Sequence, residues 1–467
     1  MVNITFLFDK ELDTKEAARA LLQIVENLPK NWKVNMPSFY RTRPPLNREF
    51  YFESMPDNPI FSKNFSDGEI KEAEKKLNYS FPLLLNSYYD YKWKCKQRKK
   101  YPQFMAQLVH YWTDYFSRIK TDIFFSTYEC NYPHSVAYIV ARNLGIPIIH
   151  IAISRFGDGI IFLDNDLLPI FYKKITPSEI EKYFKEVHTR LTEKKNPVRM
   201  ELASRHGGFY FPKFSLYWRH WKKYKSETEL YRLTRASLYV KLKRYLTKNT
   251  RRLILPRFYQ KADLDKNFFL YTLSHFREAT NSLHYNMVDQ YDLAKMISRA
   301  LPSGYYLYIK PHPHYNCSDV VMGKMLELRK LKNIRFIPAQ TNLFQLLQKS
   351  KGLITLGAFT GVEAIIANKP IIAFGDPFFA RPGTVISVTN PMDLPNVLTN
   401  IIKNPGYMIS TQKRKAIISR YYAHQIALKE KPLSLPDLSF ADDAEAKVVA
   451  AALVSAYEHI QNNKTKN

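Results

Sequence analysis

The sequence is poor in cysteine and glycine. Its three cysteines, Cys95, Cys130 and Cys317, share no CxxC spacing, so neither a disulfide framework nor a zinc site is predicted, and a reducing compartment fits. Glycine numbers only 14 and proline 27, which excludes a collagen-like or linker-rich chain. With 45% hydrophobic and 14% aromatic residues, the 467 residues are expected to form two domains with large cores.

Long apolar runs are also missing. No stretch approaches the roughly 18–20 residues that a membrane-spanning helix needs. The first residues, MVNITFLFDKELD, lack the basic start and the long apolar core of a signal peptide. We therefore expect a cytoplasmic protein, and a peripheral position on the inner face of the plasma membrane stays open.

Acidic residues are scarce relative to basic ones, 42 against 70, which gives a formal net charge of +28. Such a charge fits nucleic acid, an anionic membrane or an acidic small substrate as partner, or it reflects lysine-rich genome composition. Many cations, with aromatic residues between them, lie in residues 214–257, here called the basic segment. We expect this segment to be helical and to lie on anionic lipid, to bind an acidic polysaccharide, or to form a solvated surface.

Two regions of the chain alternate predicted strands and helices. Strand 122–127, helix 134–143 and strand 146–153 form a β-α-β unit whose apolar strands are typical of a parallel sheet covered on both faces. The alternation stops at about 173–262 and returns from 267. The predicted fold is α/β with two Rossmann-like lobes, helical insertions and a C-terminal amphipathic helix.

The predicted boundaries divide the chain into three parts. Residues 1–265 form an N-terminal α/β lobe with a basic helical insertion at about 173–262. Residues 266–440 form a C-terminal α/β lobe, and 441–467 form the last helix and a tail. Two such lobes would place a cleft between them, and open α/β sheets bind ligands outside the carboxyl ends of their strands.

The stretch YIKPHPHYN, residues 308–316, places a lysine and two histidines directly after an apolar run. Because proline cannot donate to a sheet ladder, a buried strand is expected to end here. Lys310, His312 and Pro313 would then lie at the carboxyl end of a strand, where a lysine and an imidazole suit a phosphate or diphosphate. The alternative is a turn whose histidines cap backbone groups, and His314 is assigned only that role.

The stretch ITLGAFTGVEAIIANKPIIAFG predicts a strand, a small-residue turn, a short helix and a second strand. Gly357, Thr360 and Gly361 form the turn, whose backbone N–H groups would point at an anion. Glu363, in the first helical turn, would either stabilise the helix start or hold a ribose diol. Neither GxxxxGK[ST] nor GxGxxG is present, which argues against ATP hydrolysis and against an ordinary dinucleotide site.

Three further loops at predicted strand ends carry charged side chains: His275, Arg277 and Glu278; Arg155 and Asp158; and Glu129. The first group forms a surface ion pair or lines the cleft. For Asp158, a structural role in the Gly-flanked turn of SRFGDGIIF is the alternative to catalysis.

In order and spacing, these motifs resemble the bacterial capsule polysaccharide biosynthesis family, which includes retaining Kdo transferases with a GT-B-like architecture. The resemblance runs from about Phe268 to Thr389 and includes LYIKPHP and GAFTGVEAIIANKPIIAFG. SRFGDGIIF also resembles a segment in the first lobe of such proteins. Family members often carry HxQPE where this chain has His275-Phe276-Arg277-Glu278, which leaves the donor and the anomeric outcome open.

The resemblance implies a glycosyltransferase of GT-B arrangement that needs no metal ion and no other cofactor. Lys310 and His312 would contact the nucleotide phosphate, and Glu363 with the turn at 357–361 would hold ribose and phosphate. The favoured donor is CMP-Kdo or a related CMP-linked acid sugar, and the acceptor is a surface polysaccharide or its lipid-linked precursor. The candidates for the catalytic base are Asp158, Glu129 and Glu278. The candidates for the lining of the cleft are Arg155, His275 and Arg277.

Other functions stay open. A nucleotide-sugar epimerase uses the same two-lobe architecture, and a non-catalytic subunit of a capsule machine would carry the same family motifs. A nucleic-acid-binding protein would explain the charge and the aromatic residues. It would leave KPHP and the Glu363 turn without a purpose, so nucleic acid is not an expected partner.

Overall fold

A computed structural model of the chain divides into two compact units. The first comprises Met1–Lys174, Ser215–Val240 and His424–Asn467, and the second comprises Ile175–Phe214 and Lys241–Ala423. The structure describes residues 1–7, 15–38, 43–82, 84, 100–127, 132–154, 159–166, 168–170, 172–192, 218, 221–222, 238–273, 289–311, 321–357, 360–374, 377, 379–380, 383–404, 409–429 and 438–464.

The strands of the described residues are β1 (Val2–Phe6), β2 (Trp32–Ser38), β3 (Phe50–Ser54), β4 (Ile123–Ser126), β5 (Ile148–Ile153), β6 (Gly159–Leu163), β7 (Asn267–Thr272), β8 (Tyr305–Lys310), β9 (Ile334–Phe336), β10 (Leu353–Thr355), β11 (Ile371–Ala373), β12 (Ile386–Ser387) and β13 (Ile426–Ala427).

The α-helices of the same residues are α1 (Lys15–Glu26), α2 (Asp67–Leu77), α3 (Tyr101–Ile119), α4 (Tyr132–Asn143), α5 (Pro177–Thr192), α6 (Leu238–Ile254), α7 (Gln290–Ala300), α8 (Met322–Arg329), α9 (Leu343–Lys349), α10 (Thr360–Ile366), α11 (Leu394–Lys403), α12 (Thr411–Ala423) and α13 (Asp443–Lys464). Short 3₁₀ helices span Met55–Asp57, Pro59–Ser62, Leu255–Phe258 and Pro391–Asp393.

The first unit is built on a seven-stranded sheet in the order β13-β6-β5-β4-β1-β2-β3. Its strands from β5 to β3 run parallel, whereas β6 is antiparallel to both β5 and β13. Alternate residues such as Ile4, Val34 and Ile123 pack in one core with α1 and α13. The central strands are almost wholly apolar because both faces of the sheet are covered.

The second unit is built on a six-stranded sheet in the order β12-β11-β10-β7-β8-β9, in which every neighbouring pair is parallel. Phe269, Tyr271, Leu307 and Ile309 belong to a core that also contains residues of α7, α8 and α11. The predicted α/β class with two lobes is therefore confirmed, and the predicted C-terminal helix is present as α13.

The units differ from the predicted boundaries in three places: residues 175–214 and 241–265 belong to the second unit, and the chain from His424 belongs to the first. Helix α5 packs on α12, with the Ser419 hydroxyl donating to the Ile180 carbonyl at 3.0 Å, and therefore belongs to the second unit. Strand β13 pairs with β6, and the Asn27 side-chain amide donates to Asp443 of α13 at 3.0 Å, so the chain from His424 belongs to the first. These contacts join residues far apart in sequence, which local periodicity does not report.

Local signals account for several helix ends. Helix α4 is followed by Gly145, whose φ of 69° lies in the left-handed region that favours glycine, as predicted. Helix α7 begins after Asp289, whose carboxylate accepts the N–H groups of Tyr291 and Asp292.

None of the helices in the described part of the chain combines the length and apolar character needed to cross a membrane.

Candidate functional site

Three neighbouring strands of the second sheet carry polar side chains at one level of their carboxyl ends. Lys310 of β8 pairs with Thr272 of β7. On the other side of β7, the register of Ile354 with Tyr271 places Thr355 next to Thr272. Directly paired residues of parallel strands face the same side of the sheet, so Lys310, Thr272 and Thr355 form what we call the polar row. Their exposed fractions are only 4%, 7% and 0%.

The polar row lies on the sheet face opposite the core of α7, α8 and α11. Because side chains alternate along a strand, Tyr271, Ile309 and Ile354 point into that core. The face of the polar row continues with Phe268 and Tyr308, whose rings stack at a centroid distance of 4.1 Å. The polar residues thus close an otherwise apolar sheet face, at the edge where parallel sheets bind ligands.

Lys310 ends β8, as the following proline predicted. Its ammonium nitrogen donates to the carbonyl of Ala339 at 2.6 Å, in the turn that follows β9. A buried cation is costly unless it is hydrogen-bonded, and this bond fixes it at the carboxyl ends of two adjacent strands. The fold therefore fixes the positive charge of Lys310 at the carboxyl edge of the sheet.

The two threonines of the polar row were not predicted as site residues. The Thr355 hydroxyl accepts the N–H of Gly357 at 3.2 Å and so organises the turn after β10. The Thr272 hydroxyl is buried and has no hydrogen-bond partner among the described residues. The available signal in the sequence was a hydroxyl at the last position of an apolar strand. Only the strand register shows that these hydroxyls lie at the same level as Lys310.

Helix α10 follows this edge and is buried along its whole length. Glu363 lies in its first turn, as predicted, and is 6% exposed. Thr360 and Gly361, which were predicted in the preceding turn, are instead the first two residues of the helix. Gly357 has a φ of 109°, which L side chains rarely adopt. At Gly361 a Cβ atom would lie 2.1 Å from Cζ of Phe379, so close packing with that ring accounts for a glycine at this position.

Burial also controls the ionisation of Tyr271, which lies beside the polar row on the opposite face. Desolvation raises the pKa of its phenol well above the ordinary value, with smaller contributions from Asp289 and Tyr291. Its hydroxyl donates to the carbonyl of Gln290 at 3.1 Å. The phenol therefore stays neutral and serves to anchor the start of α7 to the sheet.

Several predicted site residues lie outside the described residues: Glu129, Arg155, Asp158, His275, Arg277, Glu278, His312 and Pro313. The strands that precede these residues are described. His275, Arg277 and Glu278 follow β7, and His312 and Pro313 follow its paired neighbour β8. Glu129 follows β4, and Arg155 and Asp158 follow its paired neighbour β5. Within the described residues, no group of three His, Cys, Asp or Glu side chains is placed to hold a metal ion.

The carboxyl edge of the first sheet is lined by serines. Ser38 at the end of β2 pairs with Ser54 at the end of β3, and Ser126 ends β4. Ser38 and Ser126 are buried, and Ser54 carries a buried hydroxyl. The arrangement offers neutral hydrogen-bonding groups at the strand ends of the first unit.

Comparison with known proteins gives a family and one curated relative. Residues 161–392 match the model of a family described as capsule polysaccharide biosynthesis protein. The capsule polysaccharide export protein KpsS of Escherichia coli is 27% identical over 149 residues, which cover 30% of this chain and 38% of that protein. The chain thus matches under two fifths of its curated relative.

Solved structures are similar at low sequence identity. KpsC of Thermosulfurimonas dismutans, a β-Kdo 2,7 transferase, is 14% identical with a TM-score of 0.33, covering 73% of this chain and 88% of that one. The co-structure of S. aureus MnaA with UDP is 12% identical with a TM-score of 0.28, covering 92% and 99%. Because these TM-scores are low, the fold assignment rests on the strands and helices described above.

The family match overlaps the motifs singled out in the sequence. It begins in β6, spans β7 to β12 and includes Lys310, Thr272, Thr355 and Glu363. The resemblance predicted from YIKPHPHYN and GAFTGVEA is therefore confirmed: residues 161–392, just under half of the chain, match the model of the capsule polysaccharide biosynthesis family.

Proposed function

We propose that the protein is a glycosyltransferase. It transfers a sugar from a nucleotide-sugar donor to a bacterial surface polysaccharide or to its lipid-linked precursor. The observation that carries this proposal is the polar row, a buried lysine beside two threonines at the carboxyl edge of a parallel sheet. The family match supports the same class of reaction. A CMP-linked acid sugar such as CMP-Kdo is the favoured donor, because the KPHP motif resembles that of enzymes which use such donors.

In this proposal the polar row binds the donor phosphate. As the bond between the sugar and the phosphate breaks, negative charge builds up on the leaving nucleotide. A fixed ammonium group and hydroxyl donors stabilise that charge most in a site with little water. Lys310 supplies the charge and Thr272 a hydroxyl, and His312, two residues after Lys310, supplies an imidazole. These groups take the role for which other transferases use a metal ion.

Glu363 binds the ribose in this proposal. A carboxylate has two oxygens and can accept hydrogen bonds from both hydroxyls of a diol. Its place in the first turn of α10, buried and after β10, is compatible with this role. The phosphate would then lie toward β7 and β8, and the ribose toward β10.

The acceptor hydroxyl needs a base, and Asp158 and Glu129 stay the proposed candidates. The carboxylate takes the hydroxyl proton while the oxygen forms the bond to the anomeric carbon. The bond from that carbon to the phosphate breaks, and the nucleotide leaves as the second product. Both residues belong to loops that leave neighbouring strands, β4 and β5.

A thermal-shift screen with CMP, UDP, GDP and their sugars tests the nucleotide site. We expect CMP to raise the melting temperature of the wild type and of Lys351→Met, and to leave that of Lys310→Met unchanged. Lys351 is the matched control because it is exposed and lies before β10, at the amino end of the strand. If no nucleotide stabilises the wild type, or if Lys310→Met responds like it, the site assignment is wrong.

Product analysis separates the transferase from its alternatives. With a CMP-sugar and a capsule-type acceptor, a transferase releases CMP and extends the acceptor. An epimerase that changes the sugar on the intact donor releases no nucleotide. A non-catalytic subunit changes neither compound, and this result would refute the proposed activity even if the nucleotide binds.

A further inference from the structure

Helix α6, inside the basic segment, exposes three leucines. Leu242, Leu246 and Leu253 have exposed fractions of 40%, 62% and 62%. A single exposed leucine is ordinary on a protein surface. At about 100° per residue, however, these three lie within about 40° of one another around the helix axis and form one stripe. We call them the leucine stripe.

The leucine stripe is not the side by which α6 is attached to its unit. The helix runs into the 3₁₀ helix Leu255–Phe258, and the side chains of Leu255 and Phe258 are buried in the core of the second sheet. Ile254 packs against the same core. The C-terminal end of α6 is therefore anchored, while the stripe remains open to the surroundings.

The charge of α6 favours an anionic partner. Residues 238–254 contain six lysines and arginines and no acidic residue. Lys243, which is exposed, lies on the helix beside the leucine stripe. Cations that flank an apolar stripe are typical of helices that lie in the plane of an anionic membrane surface.

A second observation in the basic segment points the same way. Trp218 is 58% exposed, and its ring stacks on that of Trp221 at 4.9 Å. The ammonium nitrogen of Lys222 lies 5.6 Å from the centre of the Trp218 ring. Tryptophan is enriched at the interface between lipid and water, and lysine reaches from there to the headgroups.

We infer that helix α6 docks on an anionic lipid surface and that the leucine stripe enters the acyl region. An acidic polysaccharide or a nucleic acid would attract the same cations. Such a polymer offers no apolar phase to Leu242, Leu246 and Leu253, so the stripe favours lipid. This docking is independent of the activity proposed above, and would hold the protein where a lipid-linked acceptor lies.

Vesicle flotation of the full chain tests the inference. We expect the wild type to float with vesicles that contain phosphatidylglycerol and to stay behind with pure phosphatidylcholine. The triple variant Leu242→Gln, Leu246→Gln, Leu253→Gln should bind the anionic vesicles roughly 100-fold more weakly, because it loses the burial of three leucines. Leu326→Gln, an exposed leucine of α8 in the same unit, is the matched control and should bind like the wild type.

Two results would overturn the inference. One is equal flotation of the triple variant and the wild type. The other is a wild type that ignores anionic vesicles but binds a soluble acidic polysaccharide, with the triple variant binding that polymer equally well. Glutamine has nearly the helix propensity of leucine, so circular dichroism should show unchanged helicity and exclude unfolding as the cause of lost binding.

Discussion

The two sheets differ most at their carboxyl edges. The second sheet ends in a buried lysine between the turn after β9 and two threonines, whereas the first ends in Ser38, Ser54 and Ser126. A cation strengthens the binding of a phosphate through charge-assisted hydrogen bonds, whereas neutral donors and acceptors suffice for a sugar hydroxyl. In the proposed function, this difference favours the second unit for the donor phosphate and the first for the neutral groups of a glycan.

The sheets also differ in how the chain completes them. The second sheet contains only parallel neighbours, and all its strands come from one stretch of sequence. In the first sheet, β6 (Gly159–Leu163) pairs with β13 (Ile426–Ala427), which lies more than 250 residues further along the chain. Each unit also contains a glycine at a close approach, Gly159 in the first and Gly361 in the second. A substitution at either glycine should therefore lower the stability of one unit and leave that of the other unchanged.

Gly159→Ala should have the largest effect. Its Cβ atom would lie 1.8 Å from the carbonyl oxygen of Ile426, and a backbone atom cannot move without loss of the pairing of β6 with β13. We expect a loss of about 4 kcal/mol in the stability of the first unit. Hydrogen exchange at residues 426–428 should accelerate, while the strands of the second sheet keep their protection.

Gly68→Ala is the control for this substitution. Gly68 lies in the first turn of α2, where the nearest atom to an added Cβ is 3.9 Å away. Alanine there should leave stability unchanged or raise it by about 0.5 kcal/mol. If Gly159→Ala behaves like Gly68→Ala, the close approach of β13 to β6 is refuted.

Gly361→Ala should destabilise the second unit by about 2–3 kcal/mol, because its Cβ would meet the Phe379 ring. The effect is smaller than at Gly159 because a side chain moves more easily than a backbone. Combining it with Phe379→Leu should cost less than the sum of the single changes in chemical denaturation. Gly323→Ala, with no atom within 4 Å of the added Cβ, is the neutral control. Strict additivity would contradict the contact.

Much of the fold could be predicted where strands are apolar and helices follow at short intervals. The strand YYLYIK is observed as Tyr305–Lys310, and the helix placed at 342–349 is observed as Leu343–Lys349. Residues 30–100 resisted prediction because β2, WKVNMPS, mixes polar residues with a proline, and β3 lies at the sheet edge. Strand β13 has two residues, and only its pairing with β6 defines it.

The site could be predicted only in part. Lys310 was found because Pro311 marks the end of its strand, and Glu363 because a turn of small residues precedes it. Threonine is common in strands, so a hydroxyl at the end of an apolar strand did not by itself mark Thr272 or Thr355 as a site residue. The level that they share with Lys310 follows from a register that joins residues 38 and 83 positions apart, 310 − 272 and 355 − 272. Nothing in the periodicity of single segments contains that register.

Thr272→Val and Thr355→Val should have opposite effects on stability. Removal of the Thr272 hydroxyl, which has no partner among the described residues, should raise stability by about 1 kcal/mol. Removal of the Thr355 hydroxyl leaves the N–H of Gly357 without its acceptor and should cost about 1–2 kcal/mol.

The variant Thr272→Val also tests whether Thr272 belongs to the nucleotide site. Calorimetry should show nucleotide binding about tenfold weaker in Thr272→Val, the more stable variant, because a hydroxyl donor to the phosphate is lost. A stabilised Thr272→Val that binds nucleotide as tightly as the wild type would remove Thr272 from the site and leave it a buried strand residue.

The smallest predicted effect concerns pH and the first unit. His110 of α3 stacks on Phe65 at 4.7 Å. Burial lowers the pKa of His110, and Lys76 and Lys63 lower it further against the weaker opposing influence of Glu69 and Glu72. The unfolded chain therefore takes up the proton more readily than the folded one. Stability from this group is present above the unfolded pKa of about 6.5 and is lost as the pH falls toward the folded pKa.

His110→Phe should keep the ring stacked on Phe65 and remove this titration. We expect the melting temperature of the first unit to fall less between about pH 7 and 5 in the variant than in the wild type, because phenylalanine takes up no proton in either state. The second unit, followed by hydrogen exchange at β7 and β8, should show the same pH dependence in both proteins. Equal slopes for the first unit would mean that His110 is as readily protonated when folded as when unfolded. In that case carboxylates, rather than this histidine, govern the acid sensitivity of the first unit.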